Sequence, residues 1–243
     1  MAAAFGWGLL AAASLVVGAL VALRFRIPPV VIGLVMGFGA GVLISAVAFD
    51  LVEEAVDTAT GQTAVIAGIF TGCGAFFIGD SIVDRMGGAD RKDAMGAQES
   101  GSALAIVLGT VLDGIPESLV IGLTITQSGE VGAAYLIAVF VSNLPESVSS
   151  TAGLLAGGWK RSRILWMWIA IAAVSAIASL AGYRFFESAS PDVVAFVLAF
   201  AAGAVLTMLA DTMMPEAFEH GGKLTGVLTT LGFVVAFSLH ALE

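Results

Sequence analysis

The sequence predicts an all-α integral membrane protein with eight transmembrane helices, and three observations lead to this prediction. Of the 243 residues, 58% are apolar and 12% are charged, whereas soluble domains have about 45–50% apolar and about 25% charged residues. The apolar residues form long stretches without the alternation that is typical of strands. Glycine, with 30 residues, suits helices that pack closely in lipid. We therefore expect one helical membrane domain over residues 1–243.

The spans follow from the length of each apolar stretch, because a helix needs about 20 mostly apolar residues to cross a bilayer. The eight predicted spans are 3–23, 29–52, 62–82, 102–125, 131–156, 164–182, 192–216 and 224–241. Their connections are short, so neighbouring spans should be antiparallel, and only 83–101 is long enough to form a mobile loop. The Trp residues lie near span ends, where aromatic side chains favour the membrane interface: Trp7, Trp159, Trp166 and Trp168.

The basic residues predict the orientation of these spans. Nine of the ten Lys and Arg lie in connections on one side, and Arg184 alone lies on the other. The nine are Arg24, Arg26, Arg85, Arg91, Lys92, Lys160, Arg161, Arg163 and Lys223. Because basic residues collect on the cytoplasmic side, both termini should face outward from a cell membrane (plasma or inner). The net charge of −9 argues against a nucleic-acid partner.

Acidic residues within the spans indicate where the chemistry takes place. Six of them lie inside or near the inner ends of their helices: Asp50, Asp113, Glu117, Glu146, Asp211 and Glu216. A charged side chain at the bilayer centre costs about 2.5–3.5 kcal/mol on insertion scales. The spans contain no Lys or Arg to compensate these charges. The counter-charge is therefore predicted to be a proton or a metal ion.

Spans 4 and 5 carry two segments with the same layout. They are Asp113-Gly114-Ile115-Pro116-Glu117-Ser118 and Ser142-Asn143-Leu144-Pro145-Glu146-Ser147. In each, a polar residue lies four positions before a Glu, so both side chains share one helix face.

The proline in each segment removes a backbone N–H, which frees a carbonyl one turn earlier and kinks the helix. Free carbonyls inside membranes are tolerated where they line a cavity or meet an ion. Carboxylate, amide and carbonyl oxygens together suit a hard or borderline divalent cation. The paired segments therefore predict a cation site between spans 4 and 5.

A second internal match relates span 2 to span 7. In span 2, Ala40-Gly41 is followed by Glu54-Ala55. In span 7, Ala202-Gly203 is followed by Glu216-Ala217 at the same spacing. Asp50 and Asp211 lie between them. Because these spans cross in opposite directions, the match predicts an inverted repeat (3+2+3), whose interface usually holds the substrate.

At these residues the chain resembles the ZIP (Zrt- and Irt-like protein) family of divalent metal transporters. Members of that family have eight spans, both termini outside, and a paired Pro-Glu motif in spans four and five. The stretch from Ala201 to Gly203 and from Met214 to Gly221 is also similar to span seven of the family. The resemblance implies divalent metal transport toward the cytoplasm, with zinc favoured and iron, manganese or cadmium as alternatives.

Position by position, the resemblance places Asp113, Glu117, Ser142 and Glu146 around the main metal site. Gly114 and Asn143 match the positions that build an adjacent second site. Asp113 and Gly114 stand where the family usually has His and Asn, so we expect one metal ion, held as substrate and not as a prosthetic group.

The remaining acids extend this site into a path. Asp50 lies toward the outer end of span 2, where it would attract the incoming cation together with Glu53 and Glu54. Asp211 and Glu216 would line the exit. His220 could join them there, but its preferred interpretation is a loop residue at a helix C-terminus. His240 ends span 8 at the outer surface and is expected to have no specific role. Asp80 and Asp84 are interpreted as a membrane-edge pair beside Arg85.

Alternative functions stay open from the residues alone. A proton-coupled carrier of small organic solutes would use the acids as a proton relay and bind no metal. A membrane metal sensor would bind ions without moving them. A hydrolytic enzyme is disfavoured, because neither an H-E-x-x-H motif nor a Ser/His pairing is present. The expected partners are a divalent cation and the lipid bilayer, with a homodimer kept as a hypothesis.

Overall fold

The computed structural model describes residues 1–88, 103–129 and 131–242, and within them the chain is helical with no strand. Eight helices overlap the eight predicted spans. They are α1 (Ala2–Arg24), α2 (Pro29–Thr58), α3 (Gln62–Gly88), α4 (Ala103–Ser128), α5 (Ala133–Ala156), α6 (Arg161–Phe186), α7 (Pro191–Gly221) and α8 (Leu224–His240). Arg91, Lys92 and the start of the predicted fourth span at residue 102 lie outside the described residues.

Six of these helices, α1 to α4, α6 and α7, are long and apolar enough to cross a membrane. Helix α8 is apolar but has 17 residues, and α5 carries a run of polar residues around Ser142. The all-helical, membrane-type fold is therefore confirmed, while eight crossings stay a prediction. Helices α2 and α3 continue past the predicted limits at 52 and 82, because their polar last turns extend beyond the apolar stretch that the prediction counts.

Helices α2 and α7 share their local construction. Each begins with a proline, Pro29 or Pro191, which suits the first turn because the backbone N–H there needs no partner. Each contains a π-helical turn, Val47–Glu53 in α2 and Leu209–Met213 in α7. In both helices the π-helical turn starts the same number of residues after the proline. Each also holds an acid, Asp50 or Asp211, and π turns are frequent at functional sites.

Packing divides the helices into two groups. Helix α2 packs on α8, and α7 packs on α3, while α1 packs on α5 and α6, and α4 packs on α6. The groups meet where α2 contacts α5 and α4 contacts α7. The larger apolar core involves α2, α5 and α7, and a second core joins α1 to α6.

Glycines bring the packed helices into backbone contact. A Cβ atom added to Gly41 of α2 would overlap the carbonyl oxygen of Thr229 in α8. One added to Gly203 of α7 would likewise overlap the carbonyl oxygen of Ile69 in α3. Small residues allow such close approach between membrane helices, which explains the high glycine content.

The connection between α2 and α3 also makes a specific contact. Thr60, between α2 and α3, donates its backbone N–H and its hydroxyl to the Asp192 carboxylate in the first turn of α7, each at 2.8 Å.

Trp168 differs from the expectation of an interfacial side chain: it is 0% exposed, and its Nε1 donates to Thr151 Oγ1 at 2.8 Å.

Candidate metal site

The polar residues of the paired segments in α4 and α5 are all buried. The exposed fractions are 4% for Asp113, 3% for Glu117, 2% for Ser142, 8% for Asn143 and 5% for Glu146. The buried polar and charged residues of the described part of the chain include no Lys, Arg or His. Helices α4 and α5 therefore carry three carboxylates into the protein interior without a buried basic side chain.

The backbone of α5 around its proline is arranged by serine side chains. Ser142 Oγ donates to the carbonyl oxygen of Val139 at 3.0 Å, and Ser147 Oγ donates to that of Leu144, also at 3.0 Å. A hydroxyl that donates to a carbonyl keeps its oxygen lone pairs. Ser142 can therefore still offer its oxygen to a cation. Pro116 and Pro145 lie inside α4 and α5 as predicted; the kinks themselves stay a prediction.

Helices α2 and α7 reach this part of α5 at a glycine that the sequence reasoning did not select. A Cβ atom added to Gly39 of α2 would lie 3.1 Å from Met213 Cε in α7 and 3.2 Å from Ser142 Cα. The π-helical turn of α7 and the middle of α2 therefore both approach α5 at Ser142. Only the dense run of small residues in α2 could have signalled this contact.

Tyr135, in the first turn of α5, is another buried polar side chain close to the paired segments. Its side chain is 3% exposed, and its hydroxyl oxygen is 3.5 Å from the Glu117 carbonyl oxygen. Tyr135, which the sequence analysis did not single out, therefore lies near the backbone of Glu117.

Asp50 has a histidine partner. Asp50 Oδ1 is 2.8 Å from His240 Nδ1, and the two side chains are 14% and 32% exposed. The His240 ring stacks on Phe49, with ring centroids 5.5 Å apart. His240 was expected to have no specific role, and the structure instead pairs it with Asp50. The 190 residues between them explain why no local pattern signalled the pair.

The C-terminal end of α7 carries a second carboxylate–histidine pair. Glu216 Oε2 is 3.6 Å from His220 Nε2, with side chains 15% and 8% exposed. Asp211, on the π-helical turn, is exposed. Asp80, interpreted as a membrane-edge residue, is instead buried at 7% exposure, whereas Asp84 is exposed.

These acids do not form one compact cluster. Across residues 1–88, 103–129 and 131–242, no group of three or more His, Cys, Asp and Glu side chains is placed to hold a metal ion. The structure brings Asp50 to His240 and Glu216 to His220, and it buries the carboxylates of α4 and α5. The assignment of all eight predicted ligands therefore stays a prediction.

Comparison with known proteins identifies the relationship. The sequence model of the ZIP zinc transporter family matches residues 83–240. This region contains both Pro-Glu segments and all of α7. It also contains Glu216, His220 and His240, whereas Asp50 lies before it. A comparison with curated proteins gives no match. Because the family match covers more than half of the 243 residues, the chain belongs to the ZIP zinc transporter family.

Proposed function

We propose that the protein transports a divalent metal cation toward the cytoplasm, with zinc as the first candidate and iron, manganese and cadmium as alternatives. Membership of a zinc transporter family supports metal transport in general. The observation that carries the proposal is the burial of Asp113, Glu117 and Glu146 to 5% exposure or less. Each ionised carboxylate in the bilayer interior costs about 2.5–3.5 kcal/mol, so a passing cation would be strongly attracted there.

The proposed ligands of the main site are all oxygen atoms, and Asn143, at the adjacent position, would offer its amide oxygen. Asp113, Glu117 and Glu146 would supply carboxylates, and Ser142 its hydroxyl oxygen. Carbonyls freed by the two prolines would complete the shell. Zinc–oxygen bonds are about 2.0–2.2 Å long, so the side chains of α4 and α5 would have to converge when the ion binds. Oxygen ligands accept manganese as well as zinc.

The two histidine pairs suggest a route on either side of this site. Asp50 and His240 would receive the ion at the outer end, since a carboxylate and an imidazole both bind divalent transition metals. Glu216 and His220, with the exposed Asp211, would release it at the inner end.

Alternating access would come from an inverted repeat in which α1 to α3 correspond to α6 to α8, around α4 and α5. The equal placement of proline and π-helical turn in α2 and α7 supports this arrangement. The packing supports it too. The contact of α2 with α8 corresponds to that of α7 with α3, and the contact of α5 with α1 corresponds to that of α4 with α6. Such repeats place the substrate at their interface. We further propose one domain over residues 1–243, both termini outside the cell membrane, and a homodimer as the assembly to be tested.

Reconstitution in liposomes tests the function. Uptake of Zn²⁺, Cd²⁺, Mn²⁺ and Fe²⁺ is measured for the wild type, for Glu117→Gln/Glu146→Gln and for Glu187→Gln. The last is a matched control, because Glu187 is an exposed carboxylate at the end of α6. Saturable uptake that is lost in the double variant and kept in the control is the expected result.

The other outcomes identify the alternatives. Equilibrium metal binding without uptake would indicate a sensor. Absence of both binding and uptake for all four ions would contradict metal transport and favour a proton-coupled carrier of organic solutes.

A further inference from the structure

A basic cavity lies at the end of the molecule where α1 stops and α6 starts. It has a volume of about 510 Å³, within the range of about 300–1,000 Å³ that is typical of small-molecule sites. Three arginines are among the residues that line it: Arg24, Arg26 and Arg161. Its wall on the α5 side is apolar, with Val148 and Ala152 among the residues. The cavity thus combines concentrated positive charge with an apolar wall.

The three arginines are available to a ligand. All three are exposed, and no ion pair joins any of them to a carboxylate within residues 1–88, 103–129 and 131–242. The Arg24 guanidinium carbon lies 5.3 Å from the ring centroid of Phe25, an attractive cation–π contact. An arginine offers a planar fork of donors that matches phosphate oxygens two at a time. The charge therefore favours a phosphate-bearing ligand.

A second cavity continues from the first along the membrane-spanning part of the helices. Its volume is about 250 Å³, and Ile27, Ile32 and Val148 line both cavities. Its remaining lining is apolar or glycine, and Val31 and Val35 on its α2 side are 45% and 42% exposed. In a membrane these exposed valines would face hydrocarbon, so the groove suits an alkyl chain.

We propose that the two cavities form a binding site for one anionic phospholipid, whose phosphate lies among Arg24, Arg26 and Arg161 and whose acyl chain follows the groove between α1, α2 and α5. Basic pockets between transmembrane helices on the cytoplasmic side are suited to anionic headgroups. A free phosphate would use only the first cavity, whereas a phospholipid accounts for the continuity of both. The groove reaches Leu144 and Pro145, which lie directly before Glu146 in α5.

Native mass spectrometry of the full-length protein in detergent tests this site. The protein is titrated with a phosphatidylglycerol, with a phosphatidylcholine of the same acyl chains, and with inorganic phosphate. We expect one phosphatidylglycerol molecule to be retained about tenfold more tightly than phosphatidylcholine, which has no net charge. Roughly a fivefold loss of affinity is expected for each arginine replaced.

Arg161→Gln is the first variant, and Arg163→Gln is its matched control. Arg163 lies on the same turn of α6, but its guanidinium covers the Trp159 ring at 4.0 Å and does not line the cavity. Val35→Trp fills the groove without changing charge. It should weaken the binding of phosphatidylglycerol, and unfolding temperatures without added lipid check that each variant is folded.

Three results would overturn the proposal. Equal retention of the two lipids would remove the role of charge, and equal loss in Arg161→Gln and Arg163→Gln would show a surface effect only. The third is inorganic phosphate that binds as tightly as phosphatidylglycerol and keeps its affinity in Val35→Trp. That result would show a phosphate site and not a lipid site.

Discussion

His240 Nδ1 lies 2.8 Å from Asp50 Oδ1, so the last turn of α8 is tied to the π-helical turn of α2. The contact puts an imidazole beside the carboxylate that is proposed to receive the incoming cation. Phe49 stacks on the imidazole ring and limits its orientation. The pair therefore provides two different metal-binding groups at one fixed position near the outer end of the helices.

We expect His240→Ala to raise the KM for metal uptake about tenfold with little change in maximal rate, since loss of a group that supports a metal ligand typically costs about 10–100-fold in affinity. Uptake in proteoliposomes over a range of metal concentrations measures this. Ser238→Ala, an exposed position on the same turn of α8, is the control. An unchanged KM together with a lower unfolding temperature would show that the pair is only structural.

Asp113 should influence which metal is preferred. Asp113→His introduces an imidazole nitrogen among oxygen ligands, and imidazole favours zinc over manganese. We expect the ratio of Zn²⁺ to Mn²⁺ uptake to rise about three- to tenfold. Asp113→Glu keeps an oxygen ligand and should leave the ratio near the wild-type value. A ratio that does not differ between the two variants would remove Asp113 from the ligand set.

Trp168 should contribute to stability through its buried hydrogen bond. Trp168→Phe removes the donor to Thr151 Oγ1 and leaves a small cavity, so we expect a loss of about 1–3 kcal/mol in the free energy of unfolding. Trp166→Phe, at a side chain that is 69% exposed, should change it by less than about 0.5 kcal/mol. Unfolding in detergent, followed by circular dichroism, measures both. Equal effects would contradict the buried hydrogen bond as the cause.

The helix contact at Gly41 makes a further prediction. Gly41→Ala places a methyl group against the Thr229 carbonyl, and we expect a loss of about 1–3 kcal/mol from overpacking. Gly226→Ala, in α8, is the matched control, because an added Cβ there meets nothing within 4 Å. That substitution should be neutral or stabilising by about 0.4–1 kcal/mol, since alanine restricts the unfolded chain. The prediction fails when both variants unfold at the same temperature.

Much of the fold was predictable because hydrophobic length and composition are local properties. Each predicted span overlaps one helix, and Pro116 and Pro145 lie inside helices as the sequence indicated. The burial of Asp113, Glu117 and Glu146 also agrees with their positions in apolar stretches. These features depend on a residue and its near neighbours along the chain.

The remaining features depend on contacts between distant helices. The Asp50–His240 pair joins residues 190 positions apart, and Gly39 meets Ser142 only because α2 packs on α5. The π-helical turns of α2 and α7 have no composition signature, since they differ from an α-helix by one extra residue per turn. Trp168 is buried because α6 packs it against Thr151, which its position near a predicted span end did not reveal.

The hydrogen bonds from Thr60 to Asp192 limit how the molecule can deform. They join the α2–α3 connection to the start of α7, while Gly203 and Gly72 bring the backbones of α7 and α3 into contact farther along. Helices α3 and α7 are therefore held together at two levels and cannot easily splay apart. On the α2–α5 face, Gly39 approaches the backbone of Ser142. A displacement along that face would carry the α5 ligands past a stationary Asp50.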